Sequence, residues 1–212
     1  MVFQAWKPLV GYLLLGAFAL GVSVDLSLAR PALGVGPQEH VQATLNAVSA
    51  ILENPDFQGA EKDLERKQQI RQIILEAFDF QEMAREVLGT HWGKLTPQQR
   101  DEFTGLFGTL FERSYSRLVL RFLGERSTAY GTESIQPERA TVATTLISKR
   151  DAKLPVDYQL VRHGERWMIY DVVIDGISLA MNYRAQFSKI LRTSSYETLV
   201  QRIKTKLEEE SL

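Results

Sequence analysis
Cysteine is absent from the 212 residues, and histidine occurs three times. Without a thiol the chain forms no disulfide, zinc–thiolate site, iron–sulfur cluster or lipidated cysteine, and it has no thiol nucleophile. His40, His91 and His163 stand far apart, with no HxxxH or HxH spacing that would hold a metal. Each is read as a structural or surface residue, and His163 as solvent-exposed in a turn. An excess of either charge is also missing, since 25 basic residues face 26 acidic ones. That balance excludes the electrostatic profile of a dedicated nucleic-acid binder and of a charged disordered tail. There is no G-x-S-x-G, no Walker-type loop, no dinucleotide fingerprint and no internal repeat.

Long apolar runs are missing too, except at the start. Residues 1–29 hold 20 hydrophobic residues and only two charges, Lys7 and Asp25. Lys7 precedes an uncharged run from Pro8 to Val24, and Ser27-Leu28-Ala29 places small residues at −3 and −1 of a cleavage site. This order predicts a signal peptide over residues 1–29. A retained anchor is the alternative, with a run at the short limit for spanning a bilayer. Residues 30–37 carry two prolines and two glycines and read as a flexible leader. Residues 38–212 then form one domain.

The first half of that domain has helical periodicity. Val41, Leu45, Val48 and Leu52 form an apolar stripe ended by Asn54-Pro55. Ile70, Ile73, Ile74, Ala77 and Phe78 form a second, behind a charged solvated start. Phe80, Met83, Ala84, Val87 and Leu88 form a third, stopped by Gly89. Thr96-Pro97-Gln98-Gln99 is a capping box with proline at the first helical position. It opens a long helix carrying Phe103, Phe107, Leu110 and Phe111 and ending near Gly124.

Near residue 128 the period changes. Residues 141–147, 156–161 and 167–174 read as strands, rich in β-branched and aromatic residues. A weaker strand precedes them between Thr128 and Ile135, and two helices follow Gly176. Helices, then an antiparallel sheet, then helices make an α+β domain. In the strand from Trp167 both odd and even positions are apolar, so both faces need cover. Periodicity alone does not separate a closed core from a lined cavity.

Asp171 lies within that apolar strand and needs a partner if buried; Arg184 is the candidate. A structural ion pair is favoured over a general base. Asp175 before Gly176 reads as a turn residue, and Ser178 as a helix cap.

These residues together carry a family resemblance. Phe80, Met83-Ala84, Leu88-Gly89, Trp92, Thr96, Gln99, Phe103 and Phe107 come first. Pro155-Val156-Asp157-Tyr158, Trp167 and Tyr170-Asp171-Val172 follow, then Asp175-Gly176-Ile177-Ser178-Leu179 and Asn182-Tyr183-Arg184 with Gln186-Phe187. The ordered set resembles the MlaC family of toluene-tolerance, phospholipid-binding auxiliary proteins of ABC transporters, over about residues 38–208. The resemblance implies helices packed on a curved antiparallel sheet of about four strands, nuclear transport factor two-like, with an internal apolar pocket. It implies a periplasmic carrier, not an enzyme, that shuttles phospholipid between an outer-membrane lipoprotein complex and an inner-membrane ABC transporter and so maintains outer-membrane lipid asymmetry. Phospholipid would be cargo, with no cofactor or metal; in a related branch the cargo is hopanoid-type.

Under this reading the pocket lining falls to Tyr115, Val119 and Phe122 on the long helix, and to Val156, Tyr158, Leu160, Ile169 and Val173 on strands. Ile177, Leu179, Tyr183 and Phe187 would close the sheet side. Arg117, Arg121, Arg126 and Arg150 are candidate docking contacts, although ordinary solvated charge is the preferred reading of each. Two alternatives stay open: a small pocket enzyme using Asp171 with Tyr158 or Tyr183, and a non-catalytic interaction protein with a closed core.

Overall fold
Helices come first, then strands, then helices again, as the periodicity requires. A computed structural model describes residues 35–123, 126–148 and 152–209, with side chains except those of 115–123, 126 and 148. The expected signal peptide and most of the leader lie outside the described residues, as does Arg150.

The order is α1 (Pro37–Glu53), α2 (Asp63–Ala77), α3 (Phe80–Leu88), α4 (Pro97–Leu123), β1 (Arg126–Ile135), β2 (Arg139–Ser148), β3 (Lys153–His163), β4 (Arg166–Ile174), β5 (Ile177–Ser178), α5 (Leu179–Leu191) and α6 (Tyr196–Glu209). Pro37 belongs to the first turn of α1, where its missing N–H costs nothing. The box opening α4 forms in both directions: the Gln99 N–H donates to Thr96 Oγ1 at 3.2 Å, and the Thr96 N–H to Gln99 Oε1 at 3.0 Å.

All five strands are antiparallel, in the order β1-β2-β3-β4-β5. The expected count of about four holds for the long strands; the fifth has two residues, beyond a turn in which Asp175 and Gly176 both have positive φ. Along β2 and β3, alternate residues Ala140, Val142, Thr144, Leu146, Val156, Tyr158 and Leu160 are buried. Helix α1 lies against β1, β2 and β4, and α4 against β1 and β2. The buried residues of helices and sheet join in one continuous apolar core.

Gly89 ends α3 with a φ of 54°. The guanidinium of Arg184 lies over it, 2.7 Å from where a Cβ would stand. Leu88-Gly89 and Asn-Tyr-Arg, distant in sequence, are therefore two sides of one contact between α3 and α5. Among the described residues no helix is long and apolar enough to cross a membrane.

Candidate functional site
The buried face of the sheet is the candidate site, and strand register decides which residues share it. Val142 stands opposite Tyr158, and Tyr158 opposite Val172. Ala140, Leu160 and Ile169 form the next row, and Thr144, Val156 and Ile174 the row on the other side. Strict alternation from Ile169 would put Val173 on this face. A bulge intervenes: Leu160 pairs with Ile169 while Gln159 pairs with Asp171, leaving Tyr170 without a counterpart. The parity of β4 flips there. Val172 joins the buried face, and Val173 stands opposite Asp157 instead.

The expected lining residues fall into four groups. Val156, Tyr158, Leu160 and Ile169 come together on the buried face. Val173 lies off that row, and Ile177 is 59% exposed beside the β4–β5 turn. Leu179, Tyr183 and Phe187 are buried, but the two aromatics pack α5 against α4. The ring of Tyr183 meets Phe107 edge-on at 5.1 Å, and that of Phe187 meets Phe103 and Phe107 at 6.0 and 6.1 Å. Tyr115, Val119 and Phe122 lie on α4 with side chains outside the described set, as do the docking candidates Arg117 and Arg121; Arg126 opens β1, and its side chain is outside the set too. Sequence reasoning missed Val142, Thr144 and Leu146. Their i, i+2, i+4 spacing on β2 was the available signal.

Asp171 is buried, but Arg184 is not its partner. Its Oδ1 accepts from the Val172 and Ala180 N–H groups at 2.8 and 2.9 Å, and its Oδ2 from the Ser178 hydroxyl at 2.5 Å. Ser178 in turn caps α5, accepting from the Met181 N–H at 3.0 Å. The positive end of α5 thus takes the carboxylate that an arginine was expected to hold. Burial nonetheless pushes the Asp171 carboxyl above its ordinary range, against the pull of the hydrogen bonds from Ser178, Ala180 and Val172. Asp171 accepts no bond from Tyr158 or Tyr183, so the pairing that an enzyme reading requires is not assembled.

The side of β4 away from this face is partly covered by a cation. The Tyr170 hydroxyl donates to Gln159 Oε1 at 2.8 Å, and the Arg139 guanidinium lies 4.3 Å from the Tyr170 ring centre. Arg139 also pairs with Glu82 of α3. His163 is exposed as expected but not unpartnered, because its Nε2 lies 2.5 Å from Asp79 Oδ2. His40 is buried with Nε2 3.2 Å from the Ala77 carbonyl, and burial lowers its pKa. No group of three or more acidic or histidine side chains suited to a metal occurs among the described residues.

Polar groups on the buried face are few. The Thr144 hydroxyl donates to the Val156 carbonyl at 2.7 Å. Tyr158 is 8% exposed, and burial, reinforced by nearby Tyr130, pushes its hydroxyl far above the ordinary phenol range. Tyr130, also raised by burial, stands opposite Thr144 on β1. The site is an apolar sheet face carrying two neutral phenols, with no charged side chain among its described buried residues.

Comparison with known proteins fits this arrangement. The toluene tolerance protein ttg2D of Pseudomonas putida is 25% identical over 99 residues, a stretch covering 47% of this chain and 46% of that protein. The chain thus matches about half the length of this curated relative. The phospholipid-binding protein from Ralstonia solanacearum, solved in complex with a phospholipid, has the same fold, with a TM-score of 0.73. At 23% identity the alignment covers 84% of this chain and 100% of that one. The model of the family described as MlaC protein matches residues 42–205, from α1 through most of α6. With that match running through the whole helix–sheet–helix domain, the chain belongs to the MlaC protein family.

Proposed function
We propose that this protein is a periplasmic lipid carrier. It takes phospholipid, or a related lipid, between an outer-membrane lipoprotein complex and an inner-membrane ABC transporter, and so maintains outer-membrane lipid asymmetry. The observation that carries the reading is membership of the MlaC family over the whole domain. The fold shared with a protein solved with phospholipid bound supports it.

The chemistry of the candidate site agrees. Exposing an acyl chain of about 15 methylenes to water costs on the order of 12 kcal/mol, at roughly 0.8 kcal/mol each. A carrier must therefore surround the chain with apolar side chains, and few polar ones are needed. The sheet face of Val142, Leu146, Val156, Leu160, Ile169 and Val172 supplies such a wall. A net charge of −1 leaves no broad basic surface that would hold the protein on anionic membrane. Delivery would instead depend on docking to protein partners at each membrane.

Native mass spectrometry of the protein exported and purified without detergent tests the reading. The expected spectrum shows phospholipid bound in a fixed ratio, on a chain that begins near Arg30. A bare protein mass, from a preparation never stripped of lipid, would overturn the carrier.

A further inference from the structure
Five tyrosines have described side chains, and they divide by the fate of their hydroxyls. Tyr170 donates to Gln159 Oε1, Tyr183 to Ser114 Oγ and Tyr196 to the Gln99 carbonyl, at 2.8, 3.2 and 2.8 Å. The Tyr158 and Tyr130 hydroxyls make no hydrogen bond to another described residue. These two are neighbours. Tyr130 faces Thr144 on β2, and Tyr158 faces Val142 two residues along the same strand. Thr144 between them gives its proton to the Val156 carbonyl, so its hydroxyl proton is already committed.

Tyr158 is buried and Tyr130 half-buried, and neither hydroxyl is among the solvent-inaccessible polar atoms that lack a partner, Thr104 Oγ1 and Arg139 Nη1. A tyrosine so placed ordinarily meets an acceptor at the end of an otherwise apolar ring. Phenylalanine would offer the same ring to the apolar face without the donor. Two neutral O–H donors on one apolar wall therefore suit a guest that is apolar along its length and carries an acceptor oxygen without charge. An ionised phosphate finds no cationic partner among the described side chains of this face. The carbonyl of an ester linkage needs none.

We infer that Tyr158, aided by Tyr130, binds an ester carbonyl of the bound lipid, so that the site selects ester-linked over ether-linked chains. The inference rests on the carrier reading and deepens it. It gives the pocket a means of telling an acylated lipid from a hydrocarbon of equal shape. The phenols remain neutral throughout the physiological range, since burial raises both. The preference should therefore not change with pH.

The test offers the delipidated protein an equimolar mixture of two phosphatidylethanolamines. One carries two hexadecanoyl ester chains, the other two hexadecyl ether chains, and the bound species are weighed by native mass spectrometry. One neutral hydrogen bond predicts about a fivefold excess of the ester form on the wild type. Tyr158→Phe should lower that ratio to near unity, and Tyr130→Phe should lower it less. Equal binding of both lipids by the wild type overturns the inference and leaves the carrier standing. So does a full preference retained in folded Tyr158→Phe, or in Tyr130→Phe combined with it. Failure of the wild type to bind either lipid overturns both. If Tyr158→Phe does not fold, the wild-type ratio and the Tyr130→Phe ratio decide the matter.

Discussion
The α4–α5 interface and the buried face of the sheet are both apolar and aromatic, but they treat polar atoms differently. Between the helices, Phe103, Phe107, Tyr183 and Phe187 meet in edge-on and stacked contacts, and Tyr183 ends on Ser114. Tyr196 joins the same cluster and ends on the Gln99 carbonyl. Each ring fills space, and each of these two hydroxyls is answered from within the chain. On the sheet face the rings of Tyr158 and Tyr130 are placed as firmly by strand pairing, yet no described residue answers their hydroxyls. The helical cluster is a finished core. The sheet face has the composition of a core and an unfinished hydrogen-bond account, as a wall facing a guest would have.

The comparison breaks most readily on the helical side. Phe107 is fully buried and touches Phe103, Phe111, Tyr183 and Phe187. Phe107→Ala should lose about 3–5 kcal/mol of stability, because four surrounding rings cannot all collapse into the space. Urea unfolding followed by tryptophan fluorescence measures it. A loss below about 1 kcal/mol would mean that the cluster repacks freely and is not the rigid half of the molecule.

Asp171 joins the two regions and comes next. Asp171→Ala leaves the Val172 and Ala180 N–H groups and the Ser178 hydroxyl without their acceptor, at a cost of about 2–3 kcal/mol. Asp171→Asn keeps the shape and tests the charge. Because burial raises the folded-state pKa above 3.8, the unfolded chain gives up this proton first as pH rises. The contribution of Asp171 is complete below about pH 4 and declines through its raised folded value. From pH 4 to pH 7, the wild type should therefore lose stability relative to Asp171→Asn. Chemical denaturation of both at the two pH values checks the direction, and an opposite slope would show that the hydrogen bonds outweigh desolvation.

Asp171 also shows what sequence carries and what it does not. That a carboxylate inside Tyr-Asp-Val-Val needs a partner follows from its neighbours alone. That the partner is the start of α5 depends on a two-residue β5 and a turn through Asp175 and Gly176, which bring Ser178 and Ala180 back beside it. Helix positions were legible because Val41, Leu45 and Val48, or Met83, Ala84 and Val87, repeat at the helical period and end at strong stop signals. Strand positions were legible from β-branched runs. Which residues share a sheet face was only half legible. The bulge at Tyr170 exchanges Val172 for Val173 and leaves no mark in composition. Tyr130 lay in the weakest strand of the sequence, and its importance appears only when the register sets it across β2 from Tyr158.

The smallest effects separate the two regions most sharply, because they compare the same chemical change at two places. Tyr196→Phe removes a hydroxyl that donates to the Gln99 carbonyl and ties α6 to the start of α4, and should cost about 1 kcal/mol. Tyr158→Phe removes a hydroxyl with no partner among the described residues and should leave the stability of lipid-free protein within about 0.5 kcal/mol of wild type. Thermal and urea unfolding of delipidated samples give both numbers. If Tyr158→Phe costs as much as Tyr196→Phe in the absence of lipid, its hydroxyl is bound within the protein, and the sheet face is a core like the other. If it costs nothing without lipid but lowers the stabilisation that lipid confers, the hydroxyl acts only when the guest is present. Stabilisation by ligand grows with its affinity, so the loss appears as a smaller lipid-induced rise in unfolding temperature for Tyr158→Phe than for wild type at equal lipid concentration.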